Sequence, residues 1–353
     1  MNQSESSKKK IIVAPLNWGL GHATRCIPII EALINNNFEP IIASDGGALV
    51  LLQKEFPQLI SYQLPGYNIR FSKGNRQKYK LFLNIPRFLI TAKKEREVTE
   101  EIVAKDNVAG IISDNRFGVS SIKIPSVYIT HQLKVLSGNT TSITSKFHQR
   151  IISKFDECWV PDNIKRPRLS GDLSDIKKES LKIKFIGTIS RFKREQRIKK
   201  YDLLVVLSGP EPQRSILENK LLDQLKEYDK KVLFVRGVIS YDQVTYINEK
   251  VKIVNYMLTK QLQQAFSESE LILSRSGYST IMDLAKLEKK AFFIPTPGQF
   301  EQEYLANRMD EMNIAPFSNQ DHFELSMIEK VIKYNGFIQA ENESLNSELF
   351  KLF

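Results

Sequence analysis

The stretch Arg275-Ser-Gly-Tyr-Ser-Thr-Ile-Met-Asp283 holds residue types suited to an anion and a diol. It follows the apolar run Leu271-Ile-Leu-Ser274, which reads as a short buried strand. It opens an apolar-periodic stretch, Ile281, Leu284, Ala285 and Leu287, which reads as a helix. A helix start presents free backbone N–H groups and the positive end of the helix dipole. Ser276 and Gly277 let that backbone come close to a ligand, and Arg275 adds a cation. Asp283, two turns in, is positioned to accept two hydroxyls of a ribose. A capped helix in an ordinary α/β domain accounts for the same residues equally well.

A second glycine-bearing turn, Gly19-Leu-Gly-His22, follows the apolar run Ile11-Ile-Val-Ala-Pro15. It falls one glycine short of the dinucleotide fingerprint, with Thr24 at the third position, and Asp45 stands where a ribose-binding acid would belong. A nicotinamide-dependent dehydrogenase is therefore one reading. It leaves His22 unexplained. A histidine at a helix start beside two glycines sits at a cleft, and its titration range suits a general base. Asp114 closes the strand Gly110-Ile-Ile-Ser113, where its carboxylate is expected to hold the His22 ring. His131 ends the next strand and is expected to face the same cleft. No two histidines stand at a metal-ligand spacing, and no serine or cysteine nucleophile motif accompanies them.

Strand runs alternating with helical stretches predict an α/β fold: two doubly wound, Rossmann-like parallel sheets in tandem facing a central cleft. The expected division is a polar tail over 1–9, a first domain over 10–165, a second over 166–335, and a C-terminal helix over 336–353. In open parallel sheets ligands bind beyond the carboxyl ends of the strands. That gathers Ser208, Gly209 and Arg214, after one strong strand, beside Arg275. Gln299, Gln302 and Glu303, after another, supply amide and carboxylate groups suited to sugar hydroxyls.

The 353 residues are 42% hydrophobic and 26% charged, which fits a folded globular chain. Two cysteines suit a reduced, cytoplasmic setting. No apolar run reaches the roughly 18–20 residues of a spanning helix. A net charge of +11 favours an anionic partner. Nucleic acid is the weakest candidate, because the basic residues form no recognisable module. Residues 70–96 are basic with interleaved aromatic and aliphatic side chains, a pattern suited to an anionic bilayer or to a core-packing helix with a solvated face.

Taken together, these residues resemble the GT-B glycosyltransferases that include MurG and the UDP-glucuronosyltransferases, most closely the family-28-like branch. The signature over Arg275 to Asn307 is its most specific part. The resemblance implies a nucleotide-sugar donor held by the second domain. Ser208, Gly209, Arg214, Arg275, Ser276 and Gly277 would hold the diphosphate, and Asp283 the ribose, where the family usually has Glu. The uracil would lie near the backbone of Ile253, Val254 and Asn255. The donor sugar would be read by Gln302 and Glu303, with Gln299 as the alternative register. His22, paired with Asp114, would be the base in a single inverting displacement. Gly19, Gly21 and His131 would line the acceptor side. No cofactor or metal is implied. The acceptor is open, with a membrane lipid among the candidates and a location against the inner face of the membrane. A nucleotide-sugar epimerase of the same fold and a non-catalytic nucleotide-sugar-binding protein are the alternatives.

Overall fold

A computed structural model describes residues 8–67, 85–176, 181–238, 244–338 and 345–353. The first sheet is built from β1 (Lys10–Pro15), β2 (Glu39–Ser44), β3 (Ser61–Gln63), β4 (Val108–Asp114), β5 (Ser126–Ile129), β6 (Glu157–Val160) and β7 (Ile183–Phe185). Its order is β3-β2-β1-β4-β5-β6-β7, and every pair is parallel. Helices α1 (Gly21–Asn35), α2 (Gly46–Glu55), α3 (Ile85–Asp106) and α4 (Thr141–Ile152) connect these strands. The second sheet joins β8 (Tyr201–Val206), β9 (Val232–Val235), β10 (Val244–Asn248), β11 (Val251–Val254), β12 (Ser269–Ser274) and β13 (Lys290–Phe293) in the order β10-β11-β9-β8-β12-β13. Helices α5 (Gln213–Leu225), α6 (Thr259–Ser267), α7 (Tyr278–Leu287) and α8 (Phe300–Glu311) complete that half.

Burial explains why the central strands read as unbroken apolar runs. Ile11, Ile12 and Val13 are at most 1% exposed, as a strand covered on both faces requires. The edge strand β10 escapes such a reading. It is antiparallel to β11, and its residues alternate between exposed and half-buried. The first domain also extends further than expected. β7 pairs with β6, so residues through Phe185 belong to the first sheet and not to the second domain.

The C-terminal segment is not a helix over 336–353. Residues 339–344 lie outside the described residues, and Leu349–Leu352 form one 3₁₀ turn. That turn packs back on the first domain. Phe350 meets Phe38 and Trp159 at ring-centroid distances of 6.0 Å each, and Lys9 Nζ donates to the Phe353 carbonyl at 2.6 Å. Gly110 on β4 is required there, because a Cβ would come within 2.1 Å of the Phe353 ring.

Of the basic stretch 70–96, residues 70–84 lie outside the described residues. The rest forms the start of α3, which is split by face. Phe88, Glu95 and Thr99 point inward, while Leu89 and Ile90 are 53% and 58% exposed beside exposed Arg87, Lys93 and Lys94. Among the described residues no helix is long and apolar enough to cross a membrane.

Candidate active site

His22 sits in the first turn of α1, and Asp114 ends β4, the strand adjoining β1. The parallel register sets Pro15 beside Asp114, which carries the loop after β1 to the carboxylate. His22 Nδ1 lies 2.8 Å from Asp114 Oδ1. Asp114 is fully buried, and its second partner is Arg25, one turn along α1 from His22. Arg25 grips the carboxylate with Nε at 2.8 Å from Oδ2 and with Nη2 on Oδ1. Burial alone would raise the Asp114 pKa, but Arg25 and His22 hold it well below the usual carboxylate range. Arg25 Nη2 also lies 3.0 Å from His22 Nδ1, so the tautomer that can serve as a base is the one in which Nδ1 donates to ionised Asp114. The Nε2 lone pair is then left for a substrate proton.

His131 also comes to this cluster, though not to an open acceptor surface. It is 4% exposed and stacked on Tyr278 of α7, with ring centroids 4.2 Å apart. Its Nδ1 lies 3.1 Å from Arg25 Nη1, and its Nε2 lies 2.7 Å from Glu301 Oε1 on α8. Gln132 Nε2 donates to the other oxygen of Glu301. Burial lowers the His131 pKa, with Glu301 pulling the other way. The two domains meet again where Ser279 Oγ donates to the Gly21 carbonyl at 2.9 Å, so the N-terminus of α7 abuts that of α1. Neither N-cap residue, Leu20 or Gly277, supplies a side-chain hydrogen bond to its helix. A Cβ on Gly277 would meet nothing within 4 Å, nor would one on Gly19, whose φ is +80°.

Several side chains expected to contact the ligand are engaged by the protein itself. Arg275 is 1% exposed and donates to the carbonyls of Ile294, Pro295 and Gln213 and to Gln320 Oε1. It ties the ends of β12 and β13 to α5, and burial lowers its pKa to about 9. Ser276 Oγ donates to the Gln302 carbonyl at 2.7 Å. Arg214 is bound by Glu211 and Glu218 within and just before α5, and it too is 9% exposed. The Gln302 amide holds Thr296 N–H and Gln299 Oε1, and Glu303 Oε1 accepts from Gly298 N–H at 2.9 Å. These groups shape the Pro295–Gly298 turn. Ser208 and Gly209 do lie at the carboxyl end of β8, and Gly209 takes a positive φ of +107° that suits glycine.

Asp283 accepts from Ser190 Oγ at 2.5 Å, close to Arg191. Burial raises its pKa to about 6, against the pull of Arg191 and Ser190. Ile253 is buried in the core, Val254 O accepts from Arg236 N–H, and Asn255 accepts from Arg236 Nη1 at 3.3 Å. Asp45, the acid of the dehydrogenase reading, is paired with buried Arg116 at 2.7 Å and with Asn17 at 3.2 Å. Among the described residues no group of three or more His, Cys, Asp or Glu side chains is placed to hold a metal ion.

Arg25, Glu301, Tyr278, Ser190 and Arg191 were missed by sequence reasoning. Arg25 had a signal: three residues after His22 on one helix, it shares that residue's face. Glu301 stood beside the polar pair that drew attention. Ser190 and Arg191 lie in a segment without periodicity, and nothing local marks them.

Residues 204–348 match the glycosyltransferase family 28 C-terminal domain. A UDP-N-acetylglucosamine–N-acetylmuramyl-(pentapeptide) pyrophosphoryl-undecaprenol N-acetylglucosamine transferase of Clostridium perfringens is 26% identical over 97% of this chain and 88% of its own length. The crystal structure of Acinetobacter baumannii MurG superposes with a TM-score of 0.52 at 15% identity, covering 92% of this chain and 90% of that one. The spinosyn rhamnosyltransferase SpnG, complexed with thymidine diphosphate, gives 0.61 at 12% identity over 93% of each chain. The chain is thus a glycosyltransferase of the GT-B fold, similar to MurG, and its residues 204–348 match the family 28 C-terminal domain.

Proposed function

We propose that the protein transfers a sugar from a UDP-sugar to an acceptor hydroxyl with inversion, and that His22 is the general base. The observation that carries this is the His22 Nδ1–Asp114 pair at 2.8 Å, set at the end of α1 where it meets the N-terminus of α7. In the proposed step His22 Nε2 takes the acceptor proton as the oxygen attacks the anomeric carbon. The C–O bond to the diphosphate breaks, and the leaving UDP keeps that electron pair. The α7 amides and the helix dipole receive the diphosphate charge, in place of the Arg275 and Arg214 guanidiniums. Asp283 remains the ribose partner in this reading, once it exchanges Ser190 for the sugar hydroxyls. The displacement needs no cofactor.

A lipid-linked acceptor suits both the C. perfringens relative and the exposed Leu89–Ile90 pair amid basic residues on α3. That would put the enzyme against the inner face of the membrane.

A thermal-shift panel of UDP, UDP-N-acetylglucosamine, UDP-glucose and a dTDP-sugar, followed by transfer assays, tests the proposal. UDP compounds should raise the melting temperature, and His22→Ala should keep that shift while losing transfer. A shift with NAD and none with UDP would sink it.

A further inference from the structure

Five polar side chains, Glu301, His131, Arg25, Asp114 and His22, run in a row from the second domain to the first. Glu301 can only accept, so the His131 proton lies on Nε2 at 2.7 Å from Glu301 Oε1. Nδ1 of the neutral ring is then a lone pair, and Arg25 Nη1 donates to it at 3.1 Å. Arg25 turns its Nε and Nη2 to the two oxygens of Asp114, and His22 Nδ1 lies 2.8 Å from Asp114 Oδ1 and 3.0 Å from Arg25 Nη2, so Arg25 touches both members of the pair. If the His131 proton moved to Nδ1, it would face the Arg25 N–H group, and Arg25 would lose its third anchor.

The row has one link between domains. Arg25, Asp114 and His131 belong to the first domain, whereas Glu301 stands on α8 of the second. Its side chain is 31% exposed, against 5% for His131, so it lies at the rim of the cleft. Gln132 binds its other oxygen, which makes the crossing two-pronged. Separating α8 from the end of β5 breaks both contacts at once. The geometry points to Glu301 as a positioning residue: it latches the cleft shut and, through His131 and Arg25, fixes the Asp114–His22 pair in its working orientation only when the domains are closed. This rests on His22 being the base, and it adds a reason for that base to be competent only in the closed enzyme.

Spectra of protein labelled with 15N-histidine test the latch, with UDP as the added probe. The four histidines give few signals, and His22→Ala and His131→Ala assign two of them. In the parent, His131 should show the Nε2–H tautomer and His22 the Nδ1–H tautomer. Glu301→Ala should alter both sets of resonances. With the donor and acceptor that the panel identifies, kcat should fall by about tenfold to a hundredfold, while donor KM stays within about threefold. Glu301→Gln keeps an oxygen that accepts from Nε2 and should restore most of kcat and the parent spectrum.

Unchanged His22 resonances in Glu301→Ala would overturn the latch. So would a loss confined to donor KM, which would make Glu301 a contact to the donor. Undiminished transfer by His22→Ala would instead defeat the base assignment, and the coupling of Glu301 to the His22 resonances would still be read directly from the spectra.

Discussion

Asp114 is the residue on which the proposed chemistry turns, because it is buried, ionised and bound by Arg25 and His22 at once. Asp114→Asn keeps the shape but no longer enforces the Nδ1–H tautomer of His22. Transfer should fall by about a hundredfold to ten-thousandfold with UDP affinity retained, as steady-state rates and a UDP titration would reveal. Arg25→Ala should act on stability as well. It strips a buried carboxylate of its main partner, an effect of about 3–5 kcal/mol in urea unfolding. A variant as stable as the parent would mean that water reaches Asp114.

Asp283 has the opposite character. Its folded pKa of about 6 is raised by burial above the ordinary value of 3.8. The folded state therefore holds the proton more tightly than the unfolded chain. The associated stability is complete below the unfolded pKa and is lost as pH rises through about 6. Asp283→Asn imitates the protonated form, so its stability relative to the parent should rise between pH 4 and pH 7. A difference that stays constant across that range would contradict the assignment.

At the level of elements, close approach governs what each helix can do. The Gly118 backbone lies so near α3 that an added Cβ would fall 1.9 Å from the Ala92 carbonyl oxygen. Backbone cannot yield as a flexible side chain does. Gly118→Ala should therefore push α3 outward and cost about 1–3 kcal/mol or more, measured by chemical unfolding. The same displacement would disturb the buried Glu95–Arg116–Asp45 chain that anchors α3 to the loop after β2. Asp45 and Asn17 are thereby tied into the support of the Gly19–Gly21 turn. This is why a near-match to a dinucleotide fingerprint serves a different end here: its ribose acid is already occupied.

For the whole molecule, the chain's last turn links the domains from outside the cleft. Phe350 is 2% exposed against Phe38 and Trp159 of the first domain, although it follows the whole of the second in sequence. Phe350→Ala should cost about 3–5 kcal/mol. In calorimetry it should split one unfolding transition into two, because the C-terminal turn loses its anchor on the first domain. A single unshifted transition would show that the cleft-side contacts suffice to couple the domains.

The two-sheet architecture was legible in the sequence, because strands buried on both faces must be continuous apolar runs and the helices between them must carry an apolar stripe. The His22–Asp114 pairing was legible too, since both follow strand ends that a parallel sheet brings to one edge. β10 and the extent of the first domain through β7 were not, because edge strands need not be apolar and pairing is a long-range choice. The fate of the cations was likewise decided in three dimensions. A loop arginine reads as a phosphate ligand, but in the folded chain Arg275 and Arg214 are engaged by carbonyls and carboxylates of the protein. Local sequence gives a side chain its chemistry. Only the packing of distant segments decides whether that chemistry meets a ligand or the protein's own backbone.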